Sequence, residues 1–107
     1  MPKPGDVVVL NFAGAISVKR RPGVVISSDV YHLHRPDVIV GLITSNIGNA
    51  NSPTDFILQD WNVAGLRIPS AFRSYFVTLL PSDTRVIGKL SIRDWQAVRA
   101  CVLRSLG

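Results

Sequence analysis

Two arginines stand directly before a proline in the run Arg20-Arg21-Pro22-Gly23-Val24-Val25-Ile26-Ser27. Pro22 fixes its own φ and biases Arg21 toward an extended conformation. The short β-branched run that follows predicts a strand from Gly23 to Ser27. A guanidinium at the lip of a rigid strand is aimed, and its planar fork matches a phosphate bidentately. Taken alone, the same residues equally suit a solvated basic loop. A second stretch adds to them: Thr44 and Ser45 end the apolar run Val38 to Ile43 and open a polar loop. Hydroxyls at such a rim either donate to a bound oxyanion or cap the strand. Arg73 stands near the start of a further apolar stretch, after Ser70-Ala71-Phe72. His32 and His34 flank Leu33. Two histidines at that spacing, with no Cys or Glu nearby, do not make a metal set. There is no Gly-rich phosphate loop, no Ser-His-Asp signature and no paired carboxylates.

The elements that would hold these residues can be read from the hydrophobic pattern. Asp6 to Phe12 predicts a first strand and Ala13 to Arg20 a loop whose Ala15, Ile16 and Val18 are unusually apolar. The segment from Ser28 to Asp37 reads as a loop with one helical turn at most, followed by a strand from Val38 to Thr44 that could pair with the second. Ser45 to Thr54 is dense in Asn, Ser, Gly and Pro, a loop signature. Short strands are predicted at Phe56 to Leu58, within Ser70 to Leu80, and at Arg85 to Leu90, with a turn at Pro81-Ser82-Asp83. Ser91 then caps a terminal helix, with Asp94 placed as in a capping box. Trp95, Val98, Val102 and Leu106 form its expected buried stripe, flanked by Ile92 and Cys101, and Gly107 stops it. The fold class is mainly β with a C-terminal α-helix, a small barrel or half-barrel plugged by that helix.

The 107 residues suit one domain, residues 1–107, with one core. No apolar stretch is long enough to span a membrane and the N-terminus lacks a signal-peptide pattern, so a cytoplasmic location is expected. The single cysteine, Cys101, lies in the helical apolar pattern and reads as a buried thiol. Nine Arg and three Lys face seven Asp and no Glu, a net charge of +5. Residues 61–107 hold seven of these cations and only two aspartates. Such a surface favours an anionic partner, either nucleic acid or an acidic protein segment.

In order and spacing, these motifs resemble the MazF/PemK family of toxin endoribonucleases. The resemblance is carried by Gly5-Asp6-Val7-Val8, by Arg21-Pro22-Gly23-Val24-Val25-Ile26-Ser27, and by Asp37-Val38-Ile39-Val40 with Ile43-Thr44-Ser45. It continues through Ala64-Gly65-Leu66, Ser70 and Ile87-Gly88-Lys89-Leu90-Ser91. It implies an SH3-like barrel, a homodimer, cleavage of single-stranded RNA without a metal or other cofactor, and neutralisation by a cognate antitoxin. Arg21 and Thr44 then correspond to the family's catalytic pair, and Arg73 to a contributing arginine. Lys19, Arg20, Ser45 and Asn46 are the further substrate-binding candidates.

In metal-free RNA cleavage a 2′-OH attacks the adjacent phosphorus, leaving a 2′,3′-cyclic phosphate and a 5′-OH. Arg21 would hold the phosphate bidentately while Thr44 donates a further hydrogen bond. Proton transfer needs another group, because Arg is a poor base at neutral pH, and His32 is the candidate. Two features differ from the family pattern: the first loop is short and apolar, and Tyr75 stands where some members carry an aspartate. Two other readings remain open on sequence: a non-catalytic SH3-like module that binds RNA or protein, and a toxin directed at DNA gyrase.

Overall fold

The computed structural model describes residues 1–13 and 18–107. Six strands form one antiparallel sheet: β1 (Asp6–Ala13), β2 (Val18–Val25), β3 (Val38–Thr44), β4 (Phe56–Ile57), β5 (Ala71–Leu79) and β6 (Thr84–Lys89). Their order across the sheet is β4-β5-β3-β2-β1-β6. The chain is therefore mainly β with a C-terminal helix, and its sheet is curled rather than closed, with β4 and β6 at its two ends. A short helix α1 (Asp29–His34) joins β2 to β3, and α2 (Ile92–Leu106) ends the chain.

Alternation along the central strands explains why both faces of the sheet are covered. Val24 packs with Val7, Ile43, Phe72, Val98 and Cys101 on the face that α2 covers. Its neighbour Val25 packs with Val8, Leu10, Val38 and Val40 on the other face. Each such side chain contributes roughly 1.5–3 kcal/mol on leaving water.

The second strand differs from its sequence prediction. It starts at Val18 rather than Gly23, because Lys19-Arg20-Arg21-Pro22 pair with Val9 to Phe12 of β1. Of the expected first loop, Val18 to Arg20 are thus strand, and residues 14–17 lie outside the described residues. The segment from Ser28 contains a defined helix, capped by the Ser28 hydroxyl accepting from Tyr31 N–H at 3.2 Å. β3 spans the predicted residues and pairs with β2 as expected.

In α2 the Ser91 hydroxyl accepts from Asp94 N–H at 3.3 Å, and Gly107, with φ of 88°, closes the helix. Asp94 does not complete a capping box. Its fully buried carboxylate accepts instead from the backbone N–H groups of Gln59 (3.0 Å) and Asp60 (2.8 Å), fastening the helix to the segment after β4. The buried stripe is correspondingly shifted to Asp94, Val98 and Cys101, with Trp95 and Val102 half-buried, while Ile92 and Leu106 are exposed.

Candidate active site

Hydrogen bonding in β2 sets the position of Arg21. Ile26 N–H donates to Ile39 O on β3 at 2.9 Å, so the even-numbered residues of β2 aim their N–H groups at β3. The next even residue after Val24 is Pro22, which has no N–H. Pairing with β1 continues through it, as Val9 opposite Pro22, but pairing with β3 stops at Gly23 opposite Leu42. Beyond that point the two strands part, and a cleft opens between Arg21 and Thr44.

Arg21 lies on the same face of the sheet as Val25, and Thr44 on the same face as Val38 and Val40, so both side chains belong to the face opposite α2. A bulge in β5 brings two more groups to them. Gly41 is opposite Phe76, yet Ile43 is opposite Phe72, so four steps of β5 answer two of β3. Ser74 pins this bulge: its hydroxyl donates to Thr54 O at 2.5 Å and its N–H to Asp55 Oδ1 at 3.3 Å. Its neighbours Arg73 and Tyr75 are exposed and, with Arg21, Thr44 and Asn46, line a cavity of about 360 Å³. The Thr44 hydroxyl oxygen accepts from Asn46 N–H at 3.1 Å, which leaves its own O–H to donate into the cavity.

Arg20, one pleat from Arg21, lies on the opposite face of β2. With Arg21, Ser45, Arg67 and Ser70 it lines a neighbouring cavity of about 490 Å³. Ser45 is therefore not beside Thr44 in the first cavity but in this second one. Among the described residues, Arg20, Arg21, Arg67, Arg73 and Arg85 make no ion pair; Asp60 and Arg93, 2.6 Å apart, form the pair that does occur. Arg21 and Arg73 in the first cavity, and Arg20, Arg21 and Arg67 in the second, are exposed with no carboxylate in either lining, which gives both cavities a positive potential.

His32 is not brought to either cavity. It sits on α1 with Nε2 2.5 Å from Ser27 Oγ, which also accepts from Ile39 N–H at 3.0 Å. Ser27 is six residues from Arg21 along an extended segment, about 20 Å away. Lys19 belongs to β2 by its backbone, opposite Phe12, and its side chain lies outside the described residues. Sequence reasoning missed Arg67 and Arg85 as cleft residues. His, Cys, Asp and Glu side chains do not gather in groups of three or more among the described residues.

The model of a family described as PemK-like, MazF-like toxins of type II toxin–antitoxin systems matches residues 3–106. The chain belongs to that family. The PemK/MazF assignment agrees with the fold found in solved structures. A mycobacterial endoribonuclease, solved in complex with its cognate antitoxin, superposes with a TM-score of 0.81 over 100% of this chain and 96% of the other, at 15% identity. A MazF from Deinococcus radiodurans gives 0.74 over 99% and 96%, at 23% identity. A MazF toxin from Mycobacterium tuberculosis gives 0.74 over 94% and 95%, at 22% identity. Comparison with curated proteins gave no match. At these identities the structures establish a shared PemK/MazF fold, barrel-like with a terminal helix.

Proposed function

We propose that this PemK/MazF-family toxin is an endoribonuclease that cleaves single-stranded RNA without a metal ion. The observation that carries the reading is Arg21 facing Thr44 across the cleft opened at Pro22. In the proposed step the 2′-oxygen of one ribose bonds to the adjacent phosphorus and the P–O5′ bond breaks. The products are a 2′,3′-cyclic phosphate and a 5′-OH. The 2′-OH gives its proton to solvent water, and O5′ takes one from solvent water, so the step neither gains nor loses a proton. The Arg21 fork neutralises the crowded phosphate and the Thr44 O–H donates to a non-bridging oxygen. Arg73 lines the same cavity and supplies a further cationic donor toward the leaving oxygen. An accessible single strand suits a cleft bordered by arginines and polar loops.

The same basic clefts suit a cognate antitoxin with an acidic, partly disordered segment laid across them. The mycobacterial relative solved with its antitoxin supports that partner. The active species is a homodimer acting in the cytoplasm, where its RNA substrate is met; exposed Leu103 and Leu106 on α2 offer apolar surface to a second copy. The test uses mixed-sequence single-stranded RNA in excess EDTA with mapping of product ends. Discrete scission leaving cyclic phosphates supports the nuclease. Binding without scission by the folded protein overturns it in favour of a non-catalytic module.

A further inference from the structure

Three arginines outside the Arg21–Thr44 cavity converge on the opposite face of the sheet. Arg85 on β6 is paired with Val9 on β1, which is paired with Pro22 on β2. Those three positions share one face, and Arg20 follows Pro22 on it one repeat along. Arg67 reaches them from the segment after β4. That segment is pressed onto β6 by two glycines. Gly65, at φ of 85°, approaches Ile87 O, and Gly88 approaches Ala64 O, so closely that a Cβ on either would lie 2.3 or 2.2 Å from those oxygens. This backbone contact sets Arg67, two residues after Gly65, beside Arg85, two residues before Ile87. Arg20, Arg67 and Arg85 then line one cleft of about 320 Å³ over Val9 and Leu66.

All three arginines are exposed and make no ion pair among the described residues. Asp83 lines a smaller adjoining cleft with Arg20 and Arg85, yet it pairs with neither. Guanidiniums gathered without counter-charges repel each other until an anion enters between them.

We propose that Arg20, Arg67 and Arg85 form a second phosphate subsite, which holds the RNA backbone flanking the bond to be cleaved. The proposal rests on the RNA-cleaving reading above. RNA is favoured over an acidic protein because Arg21 lines this cleft as well as the Thr44 cavity. A polymer whose scissile phosphate is held by Arg21 passes directly into the second cleft. The subsite binds phosphate, so it strengthens affinity for longer RNAs without reading their sequence.

The test compares the unaltered protein with Arg67→Ala and Arg85→Ala, neither of which touches the Arg21–Thr44 cavity. Fluorescence anisotropy is read with uncleavable 2′-O-methyl single-stranded RNAs, one long and one just spanning the cleavage site. Each substitution is expected to weaken the long RNA about tenfold and to lower the salt dependence of binding by about one unit. Binding of the short RNA stays unchanged. With unmodified long RNA, KM rises while kcat holds. Wild-type affinity and salt slope for the long RNA in both variants overturns the subsite. Equal losses on the short and long RNAs overturn it too, as does a loss confined to an acidic peptide probe. Cleavage of unmodified RNA by the unaltered protein reports on the nuclease reading alone, so the two fail separately.

Discussion

Arg21 and Thr44 occupy the positions that would come next after Gly23 and Leu42 in the β2–β3 ladder, on one face of the sheet, and the ladder stops short of them. Between the last pair and this one lies Pro22, whose missing N–H would have bonded toward Ile43. A proline inside a sheet is usually a defect in pairing. Here the defect ends the pairing of the two strands at the cleft proposed to hold the scissile phosphate.

Restoring that donor should close the cleft. In Pro22→Ala the ladder can continue, drawing Arg21 and Thr44 toward the spacing of a regular cross-strand pair, about 4.5 Å between Cα atoms. RNA cleavage is expected to fall by roughly a hundredfold, as misplacement of reacting groups by an ångström can cause. Thermal stability should hold or rise. Hydrogen exchange would show a newly protected amide at position 22; full activity with that amide protected would contradict the role given to the proline.

Ser74 provides a test of the bulge. Ser74→Ala removes the hydroxyl that anchors β5 to Thr54 O. The expected cost is about 1 kcal/mol in a denaturant titration. Because the bulge aims Arg73 and Tyr75, kcat/KM should drop further than that loss of stability would cause at a temperature where the variant is fully folded. A stability loss with unchanged kcat/KM would separate the bulge from the chemistry.

The ion pair at the start of α2 has a pH signature. Hydrogen bonds from Arg93, and from the Ser91 hydroxyl, hold the Asp60 carboxyl at about 2, below its ordinary 3.8. A carboxyl lowered on folding stabilises the folded chain above its unfolded value and loses that contribution as pH falls through its folded one. Asp60→Asn should therefore lower the melting temperature near neutral pH. It should also flatten the decline of melting temperature between about pH 4 and pH 2. An unchanged acid limb in the variant would assign that decline to other carboxylates.

Parts of this fold are legible in the sequence for local reasons. β3 is an uninterrupted apolar run between polar loops, and α2 announces itself through Ser91 and its apolar repeat. The start of β2 is hidden because Lys19-Arg20-Arg21-Pro22 has the composition of a loop; it becomes strand by pairing with β1, at long range. Asp94 looks like half of a capping box, yet its carboxylate is drawn to Gln59 and Asp60 by a contact spanning more than thirty residues. The shift of the helix stripe away from Ile92 and Leu106 follows from that same attachment. In the candidate site, Arg21 and Thr44 could be found because a strand boundary and a proline mark them locally. His32 could not be placed without knowing that α1 turns it onto Ser27. Arg67 and Arg85 carry no local mark at all, since the approach of Gly65 to Ile87 and of Gly88 to Ala64 brings them together.

The assay to run first is cleavage of single-stranded RNA in EDTA by the unaltered protein and by Arg21→Ala, with their folds matched by circular dichroism and melting temperature. Arg21 is exposed and packs into neither core, so its removal should leave stability within about 0.5 kcal/mol. Cleavage should fall by about a hundred- to a thousandfold, the usual cost of removing one transition-state donor. A folded Arg21→Ala protein that cleaves RNA at the wild-type rate, with the same product ends, would contradict the assignment of the scissile phosphate to the Arg21–Thr44 cleft.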